Sequence, residues 1–292
     1  MNRPLAYLQL VRPTQWSKNF FLFIPAFFGL KFLSPGVFLD LMLGWIAFSC
    51  LASAVYVIND YRDVASDRLH PTKARRPLAS GQVSRNEALM LCVLLIVTSI
   101  AITATLEKNF TVIIAFYFAV NIGYTFFFKD HAIIDVLIIS SGFLLRVLGG
   151  AALADVTPSK WLLVMSFLLS LFIAFSKRRD DVLLRDKSGI KVRKSIDGYN
   201  LAFIDLAMVF IASITAVSYI LYSVSPDVSL QFNTEYFYVT SLFVVIGILR
   251  YFQLTIVRGV TSDPTAILTR DGFTIVNLIC WCLTCFFFIY YG

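Results

Sequence analysis

The sequence has few of the residues on which soluble enzymes most often rely for catalysis. Only 2 histidines, His70 and His131, stand among its 292 residues, and neither has a serine or cysteine nucleophile arranged around it. A glycine-rich phosphate loop of the P-loop type is also missing from the sequence. These absences exclude a Ser–His or Cys–His triad and a P-loop nucleotide site.

The five cysteines lack the spacing of a disulfide framework. All of them lie in apolar segments, and three fall in the run CWCLTC at 280–285, among Leu, Ile and Phe. A metal site in this run is disfavoured because no histidine lies near it. We interpret the cysteines as inert, buried thiols.

Charge is scarce as well, at 15% of residues against 58% hydrophobic residues and a mean hydropathy of +0.77. A soluble domain carries about 25% charged residues. The apolar residues fall in blocks of roughly 17–23 residues, the length of a helix that crosses a bilayer. The sequence predicts an all-α integral membrane protein, a bundle of about nine transmembrane helices forming one domain, 1–292. The predicted spans are 19–34, 37–58, 87–106, 110–128, 132–153, 160–176, 201–223, 236–256 and 272–291.

Basic residues predict how the chain is oriented. With nine spans and a cytoplasmic N-terminus, 21 of the 25 Lys and Arg residues fall in inner segments and 3 in outer connections. The polar loops 59–86 and 177–200 are then expected at the cytoplasmic face of the cell (inner) membrane. The polar, basic first residues, without a small-residue cleavage site, argue against a cleavable signal peptide. The net charge of +7 reflects this topology and attraction to anionic lipids, and does not indicate nucleic-acid binding.

The most informative stretch, 56–80, follows one apolar span and precedes another. Its polar residues include an amide and three carboxylates: Asn59, Asp60, Asp63 and Asp67. The aspartates have the i, i+3, i+7 spacing that places side chains on one face of a helix. Clustered carboxylates need a cation, and oxygen ligands favour Mg²⁺, or Mn²⁺, over zinc. The stretch therefore predicts a Mg²⁺ site for a phosphorylated substrate, although an acidic helix end paired with Arg62 and Arg68 is the alternative.

Bases accompany this acidic cluster in both polar loops. Lys73, Arg75 and Arg76 follow it directly, where they suit the growing charge of a leaving pyrophosphate. The second loop has more bases than acids and opens with Lys177, Arg178 and Arg179, which suits direct phosphate binding. The positive-inside rule alone accounts for many of these bases, so a purely topological role stays open.

Three further residues lie in or at the edges of predicted spans. Arg146, in FLLRVLGG, has apolar neighbours and is expected to face the interior of the bundle, and Asp135 lies about one turn inside its span. A structural salt bridge between helices is the alternative for both. Lys18, in RPTQWSKN, is either a phosphate ligand or a snorkelling anchor beside Trp16.

The stretch NDYRDVASD at 59–67 resembles the N-D-x-x-D-x-x-x-D motif of the UbiA superfamily of intramembrane prenyltransferases. The motif follows the second apolar span, as it does in that family, and the resemblance extends over the whole chain. It implies a UbiA-like helical bundle in which the motif binds a diphosphate through Mg²⁺. The second loop departs from members that use prenyl diphosphates, because Asp181 is followed four residues later by Arg185, where their D-x-x-x-D motif has a carboxylate.

A finer resemblance is to the superfamily's decaprenyl-phosphate phosphoribosyltransferase branch. The matching blocks are RPTQWSKN at 12–19, NDYRDVASDRLHPTKARRP at 59–77, KDHAIIDV at 129–136, FLLRVLGGAA at 143–152, KR at 177–178, LRY at 249–251 and RD at 270–271. The resemblance implies Mg²⁺-dependent transfer of a phosphoribosyl group from phosphoribosyl pyrophosphate to a polyprenyl phosphate, with release of pyrophosphate.

This resemblance also implies roles for particular residues. The four residues of the motif hold the Mg²⁺-pyrophosphate end, where Lys73 and Arg76 assist the leaving group. The bases that hold the donor's 5-phosphate or the lipid phosphate are Lys18, Lys129, Arg146, Lys177 and Arg178, and Asp135 is counted with them as a substrate-binding residue. A homo-oligomer is compatible with the sequence.

Two other functions compete with this interpretation. A transferase that joins a prenyl diphosphate to an aromatic acceptor belongs to the same superfamily, but its second acidic motif is weak here. A transporter is expected to carry charges near the membrane midplane, often beside broken helices. Here most charges cluster at one predicted face, and Arg146, Asp135 and Asp205 are among the few that enter the spans.

Overall fold

The computed structural model of the protein describes residues 3–69, 73–189, 194–259 and 271–291, and within these ranges all regular structure is helical. The α-helices are α1 (Arg3–Val11), α2 (Ile24–Phe28), α3 (Pro35–Arg68), α4 (Arg85–Thr103), α5 (Lys108–Gly123), α6 (Ile134–Ala154), α7 (Lys160–Ser188), α8 (Leu201–Ser223), α9 (Pro226–Phe232), α10 (Thr240–Phe252) and α11 (Gly272–Tyr290). Helices α5 and α10 each end in a π-helical turn, Tyr124–Phe128 and Gln253–Val257.

Eight helices in the described part of the chain are long and apolar enough to cross a membrane. They correspond to the last eight of the nine predicted spans. The prediction of an all-helical membrane bundle of about nine helices is confirmed, and the chain is a multi-pass membrane protein.

The first predicted span, 19–34, is not a continuous α-helix. The chain there forms a 3₁₀ segment, Pro13–Phe23, followed by the short helix α2. Pro25 starts α2 and lacks a backbone N–H, and a turn follows Phe28, with Leu30 at φ 59°. A β-carbon at Gly29 would lie 2.8 Å from the carbonyl oxygen of Pro25, so only glycine fits this turn.

The chain forms two compact units. Unit 1 comprises Met1–Phe127 and Gly142–Pro158, and unit 2 comprises Phe128–Ser141 and Ser159–Gly292. Helix α6 contributes its first part to unit 2 and its remainder to unit 1. That 1–292 acts as a single domain stays a prediction.

Unit 1 is organised around α3, whose middle part is buried. Phe48 packs its ring against Phe110 and Tyr117 of α5. The later part of α6 lies very close to the 3₁₀ segment Pro13–Phe23. A β-carbon at Gly150 would lie only 1.9 Å from the carbonyl oxygen of Leu22. Glycine at this position therefore allows the two backbones to meet.

Unit 2 has its own core, formed mainly by α7, α8 and α10. Phe172 of α7 packs edge-on against Tyr251 of α10, and Met208 of α8 is buried in the same cluster. Ile196, in a 3₁₀ turn at Lys194–Gly198, is fully buried there. This apolar contact fixes part of the second predicted loop onto the helices.

Both predicted cytoplasmic loops are shorter than their sequence bounds, because the helices before them continue. Helix α3 extends to Arg68 and α7 extends to Ser188, ten or more residues beyond the predicted span ends. Gly189 ends α7 in the left-handed conformation, at φ 69°. A capping box starts α4: Ser84 accepts a hydrogen bond from the backbone of Glu87, whose carboxylate accepts one from the backbone of Ser84.

Candidate active site

The polar end of α3 holds all four residues of the acidic motif. Asp60 and Asp67 are both buried, each about 3% exposed, while Asn59 and Asp63 are partly exposed. The helix brings them together because it continues without a break to Arg68. Two buried carboxylates two turns apart require a positive partner.

That partner is Arg76. Its Nη1 atom lies 3.0 Å from Oδ1 of Asp60 and 2.8 Å from Oδ2 of Asp67, so oxygens of two carboxylates converge on one charged atom. The segment after Arg76 is anchored because Leu78 packs with Val64 of α3 in one apolar cluster. Asp60 and Asp67 therefore pair with Arg76, which lies beyond the motif in the sequence. Arg62 and Arg68 instead donate to the backbone carbonyls of Phe126 and Ala79.

Asn59 is oriented by a different element. Its Oδ1 atom lies 2.6 Å from the hydroxyl of Thr125, which is fully buried in the π-helical turn after α5. Such turns occur often at functional sites. Thr125 carries no signal in the sequence, because a π-helical turn has no clear pattern of residues.

Arg12 was also missed by reasoning from the sequence. Its Nη2 atom lies 2.5 Å from Oδ1 of Asp60, and its guanidinium lies 4.9 Å from the ring centre of Tyr56. Arg12 is the first residue of the block RPTQWSKN, of which Lys18 is the predicted site residue. The one available signal was a base directly before Pro13, on the predicted cytoplasmic side of the membrane.

The other bases proposed for unit 1 are more dispersed. Lys73 opens the short 3₁₀ turn that leads to Arg76, and Lys18 lies in the 3₁₀ segment, and both are partly exposed. Arg146 is buried and donates to Asn19 Oδ1 at 2.7 Å, to the Gly142 carbonyl and to the hydroxyl of Tyr117. Its guanidinium also lies within 5.6 Å of the ring centres of Phe48, Tyr117 and Phe143. The structure thus encloses Arg146 among aromatic rings and amide groups.

A second polar cluster lies in unit 2, around Asp135. Its Oδ2 atom is 2.8 Å from Nε of Arg178, and its carboxylate accepts hydrogen bonds from the hydroxyls of Tyr199 and Ser195 at 2.9 and 3.1 Å. Arg178 also contacts Asp181 at 2.6 Å. The structural salt bridge that the sequence left open for Asp135 is therefore formed, with Arg178 as its partner.

The hydroxyl of Tyr199 suits this position because it keeps its proton. Burial raises the pKa of Tyr199, and the neighbouring Asp135 carboxylate raises it further, while a hydrogen bond from the backbone of Ile133 opposes the shift. Tyr199 can therefore donate to Asp135 throughout the physiological pH range. Lys129 and Lys177 belong to the same unit and are partly exposed.

Comparison with known proteins places these features in a family. The UbiA prenyltransferase family matches residues 22–278. The chain belongs to the UbiA prenyltransferase family. The helical membrane bundle that the sequence predicted agrees with this membership.

Named relatives match over almost their full length. The chain is 33% identical to a decaprenyl-phosphate phosphoribosyltransferase of Mycolicibacterium smegmatis, over 94% of this chain and 89% of that protein. It is 32% identical to a protein of the same name from Corynebacterium glutamicum, over 94% of this chain and 83% of that protein.

A solved structure agrees with the fold. A UbiA homolog from Archaeoglobus fulgidus, bound to DMAPP and Mg²⁺, has a TM-score of 0.71 with 20% identity, and the match covers 96% of this chain and 99% of that one. The same homolog was also solved bound to Cd²⁺. Divalent metals thus bind a UbiA protein of this fold.

The polar end of α3 fits a hard divalent cation. Asp60 and Asp67 direct oxygens to a common point, now taken by the Arg76 nitrogen. Among the residues that the structure describes, no group of three or more His, Cys, Asp or Glu side chains is assembled for a metal. Two carboxylates nevertheless suffice for Mg²⁺, which usually takes one or two from the protein and its other ligands from phosphates and water.

Proposed function

We propose that this UbiA protein transfers the 5-phosphoribosyl group of phosphoribosyl pyrophosphate to a polyprenyl (decaprenyl-type) phosphate and releases pyrophosphate. The observation that carries the proposal is the pair of near-full-length relatives, at 32–33% identity, that share the name decaprenyl-phosphate phosphoribosyltransferase. The end of α7, which the sequence predicted as the start of the second loop, supports it, because Asp181 there pairs with Arg178 of the same helix. That loop resembles a phosphate-binding surface more than a second carboxylate-bound metal site.

The chemistry needs little proton transfer. A phosphate oxygen of the lipid forms a bond to C1 of the ribose while the bond from C1 to the pyrophosphate oxygen breaks, and the electron pair leaves with pyrophosphate. The lipid phosphate is already an anion at neutral pH, so no strong general base is required. A chain with only two histidines is compatible with this reaction.

The work left to the protein is to position two anions and neutralise the charge that grows on the leaving group. When bound, Mg²⁺ (or Mn²⁺) would neutralise part of the negative charge of the pyrophosphate. Residues assigned to this end of the reaction are Asn59, Asp60, Asp63, Asp67, Lys73 and Arg76. Their placement on α3 and in the segment that follows supports the assignment, since Arg76 already contacts two of the carboxylates.

The remaining residues are assigned to the donor's 5-phosphate or the lipid phosphate: Lys18, Lys129, Asp135, Arg146, Lys177 and Arg178. The partly exposed Lys18, Lys129 and Lys177 suit direct contact with a phosphate. Because Asp135 and Arg178 are buried in an ion pair, we assign them to holding the turn Lys194–Gly198 against α6 and against α7, the helix that carries Lys177.

We further propose that the site faces the cytoplasm at the inner (plasma) membrane and that 1–292 acts as one domain. The excess of Lys and Arg in the predicted inner segments supports this orientation. A water-soluble donor then reaches the site from the cytoplasm, and the lipid acceptor reaches it from the membrane.

A donor competition assay tests the proposal. The purified protein in proteoliposomes, with Mg²⁺ and decaprenyl phosphate, is given labelled phosphoribosyl pyrophosphate, and the expected result is labelled lipid with equimolar pyrophosphate release. The matched reaction offers a prenyl diphosphate with an aromatic acid. Product from the second reaction alone would favour an aromatic prenyltransferase, and uptake without pyrophosphate release would favour a transporter.

A further inference from the structure

The backbone of Arg12 is held in a conformation that non-glycine residues rarely adopt. Its φ and ψ are 55° and 61°, in the left-handed region. This conformation costs free energy, so it persists only where neighbouring contacts impose it, and it is concentrated at functional sites. The contacts of Arg12 must therefore explain why this strained conformation is kept.

The chain on both sides of Arg12 is fastened to α3. The hydroxyl of Ser53 donates to the carbonyl of Val11 at 2.8 Å, and it accepts a hydrogen bond from the indole of Trp16 at 3.0 Å. Asn19 donates to Ser49, one turn earlier in the same helix. These contacts fix the position from which the Arg12 side chain extends.

From that position the guanidinium contacts a carboxylate of the motif. Oδ1 of Asp60 lies 2.5 Å from Arg12 Nη2 and 3.0 Å from Arg76 Nη1, so one oxygen atom contacts two arginines. Asp60 is 3% exposed, whereas the Arg12 side chain is 26% exposed. Asp60 is therefore fixed and buried, while Arg12 has room to turn toward a soluble anion.

We propose that Arg12 is a further residue of the metal–diphosphate site: it neutralises Asp60 while no cation is bound, and it holds a diphosphate oxygen once the carboxylate has taken Mg²⁺. The proposal rests on the proposed function in that the ligand is a metal-bound diphosphate. A carboxylate oxygen that coordinates a cation can no longer pair with two guanidinium groups. A guanidinium released next to a phosphate binds it well, because its planar donors match two phosphate oxygens.

A purely structural ion pair makes a different prediction. If Arg12 served only to anchor the N-terminal segment, its loss would disturb Asp60 and weaken the binding of metal and of diphosphate alike. If Arg12 instead exchanges between Asp60 and the diphosphate, its loss removes a competitor for the metal and a ligand for the diphosphate. The metal then binds more tightly and the diphosphate more weakly.

The test measures both equilibria on the full-length protein in detergent. Mn²⁺ alone is titrated and its free concentration followed by electron paramagnetic resonance, and inorganic pyrophosphate is titrated by calorimetry at saturating Mg²⁺. For Arg12→Gln we expect Mn²⁺ to bind about three- to tenfold more tightly. We expect pyrophosphate to bind about tenfold or more weakly, as for a lost hydrogen bond between charged groups. Arg12→Lys keeps the charge and should leave Mn²⁺ affinity within about twofold while still weakening pyrophosphate.

Arg85→Gln is the matched control, because Arg85 also lies over a tyrosine of α3, Tyr61 at 5.4 Å, while the ion pairs of Asp60 within the described residues are with Arg12 and Arg76. Both affinities should stay within about twofold of the wild type. Weaker binding of both ligands in Arg12→Gln, or values like those of Arg85→Gln, would overturn the proposal. Neither ligand is the donor, so failure of the proposed function would appear separately, as wild-type protein that binds both but transfers no phosphoribosyl group.

Discussion

The two polar clusters differ in which partner is buried. At the end of α3, the carboxylates Asp60 and Asp67 are buried while their arginines are not, with Arg76 31% exposed. Around Asp135 both partners are buried, and Arg178 is only 2% exposed. An ion pair with an exposed cation can exchange that cation for another, whereas a fully buried pair cannot separate without a large cost in free energy.

We interpret this difference as the one between the proposed binding site and a structural support. The α3 cluster directs carboxylate oxygens to one point, where a metal can replace a nitrogen. The Asp135 cluster instead adds two hydroxyl donors, from Ser195 and Tyr199, and ties the turn Lys194–Gly198 to α6 and α7. On this interpretation the carboxylates of the α3 cluster can exchange an arginine for a metal, whereas Asp135 keeps Arg178 as its partner.

The largest expected effect tests the second cluster. Arg178→Ala leaves Asp135 charged and buried without its cation, so we expect a loss of about 3–5 kcal/mol in stability. It would be measured as a marked fall in Tm of the detergent-solubilised protein. Arg76→Ala is the comparison: it also leaves Asp67 buried, but Asp60 keeps Arg12, and water can fill the place of a guanidinium that is 31% exposed, so we expect a smaller loss. Equal losses in the two variants would show that the clusters do not differ as described.

The next effect tests the first cluster. Asp67→Ala and Asp63→Ala should lower phosphoribosyl transfer by about 10²–10³ or more, as expected when charge stabilisation at a leaving group is removed. Both proteins should still insert into the membrane and fold, with Tm close to that of the wild type. The measurement is the initial rate of pyrophosphate release at saturating Mg²⁺. Full activity in both variants would contradict the metal assignment.

The sequence predicted the first cluster better than the second for a physical reason. Asp60, Asp63 and Asp67 lie within eight residues, so helical periodicity alone places them on one face. Their partner Arg12 lies 48 residues away, and only the packing of the 3₁₀ segment on α3 brings it near. Reasoning from the motif therefore found the carboxylates but missed one of their cations.

The second cluster shows the same limit more strongly. Asp135 and Arg178 were both singled out, but their contact depends on how α6 and α7 pack, which spacing along the chain does not reveal. Ser195 and Tyr199 gave no signal because hydroxyl side chains are common in loops. Pro25 and Gly29 are local signals for the break in the first predicted span. The continuation of α3 and α7 beyond their apolar residues, which shortens both loops, follows from no such signal.

A smaller effect sharpens the contrast within unit 2. Tyr199→Phe removes one hydrogen bond to the buried Asp135 carboxylate, which is worth about 1.5–3 kcal/mol. We expect a lower Tm, with the apparent affinity for Mg²⁺ unchanged because the metal is assigned to α3. Tyr61→Phe is the control, since Tyr61 has its ring beneath Arg85. A Mg²⁺ requirement that rises in Tyr199→Phe would mean that the supporting cluster also shapes the metal site.

The smallest effect returns to the α3 cluster and asks whether its neutral member matters. Thr125→Val keeps the shape of the side chain but removes the hydroxyl beside Asn59 Oδ1, at a cost in stability of about 0.5–1.5 kcal/mol. Because Asn59 then loses the contact that fixes its amide, we expect the Mg²⁺ concentration at half-maximal rate to rise by a few-fold, while the rate at saturating Mg²⁺ changes little. A titration of the transfer rate with Mg²⁺ measures both quantities, with Thr111→Val, a threonine of the same helix that donates to the backbone of Thr103, as the control. An unchanged midpoint would remove Asn59 from the metal site and leave the carboxylates to bind the cation without it.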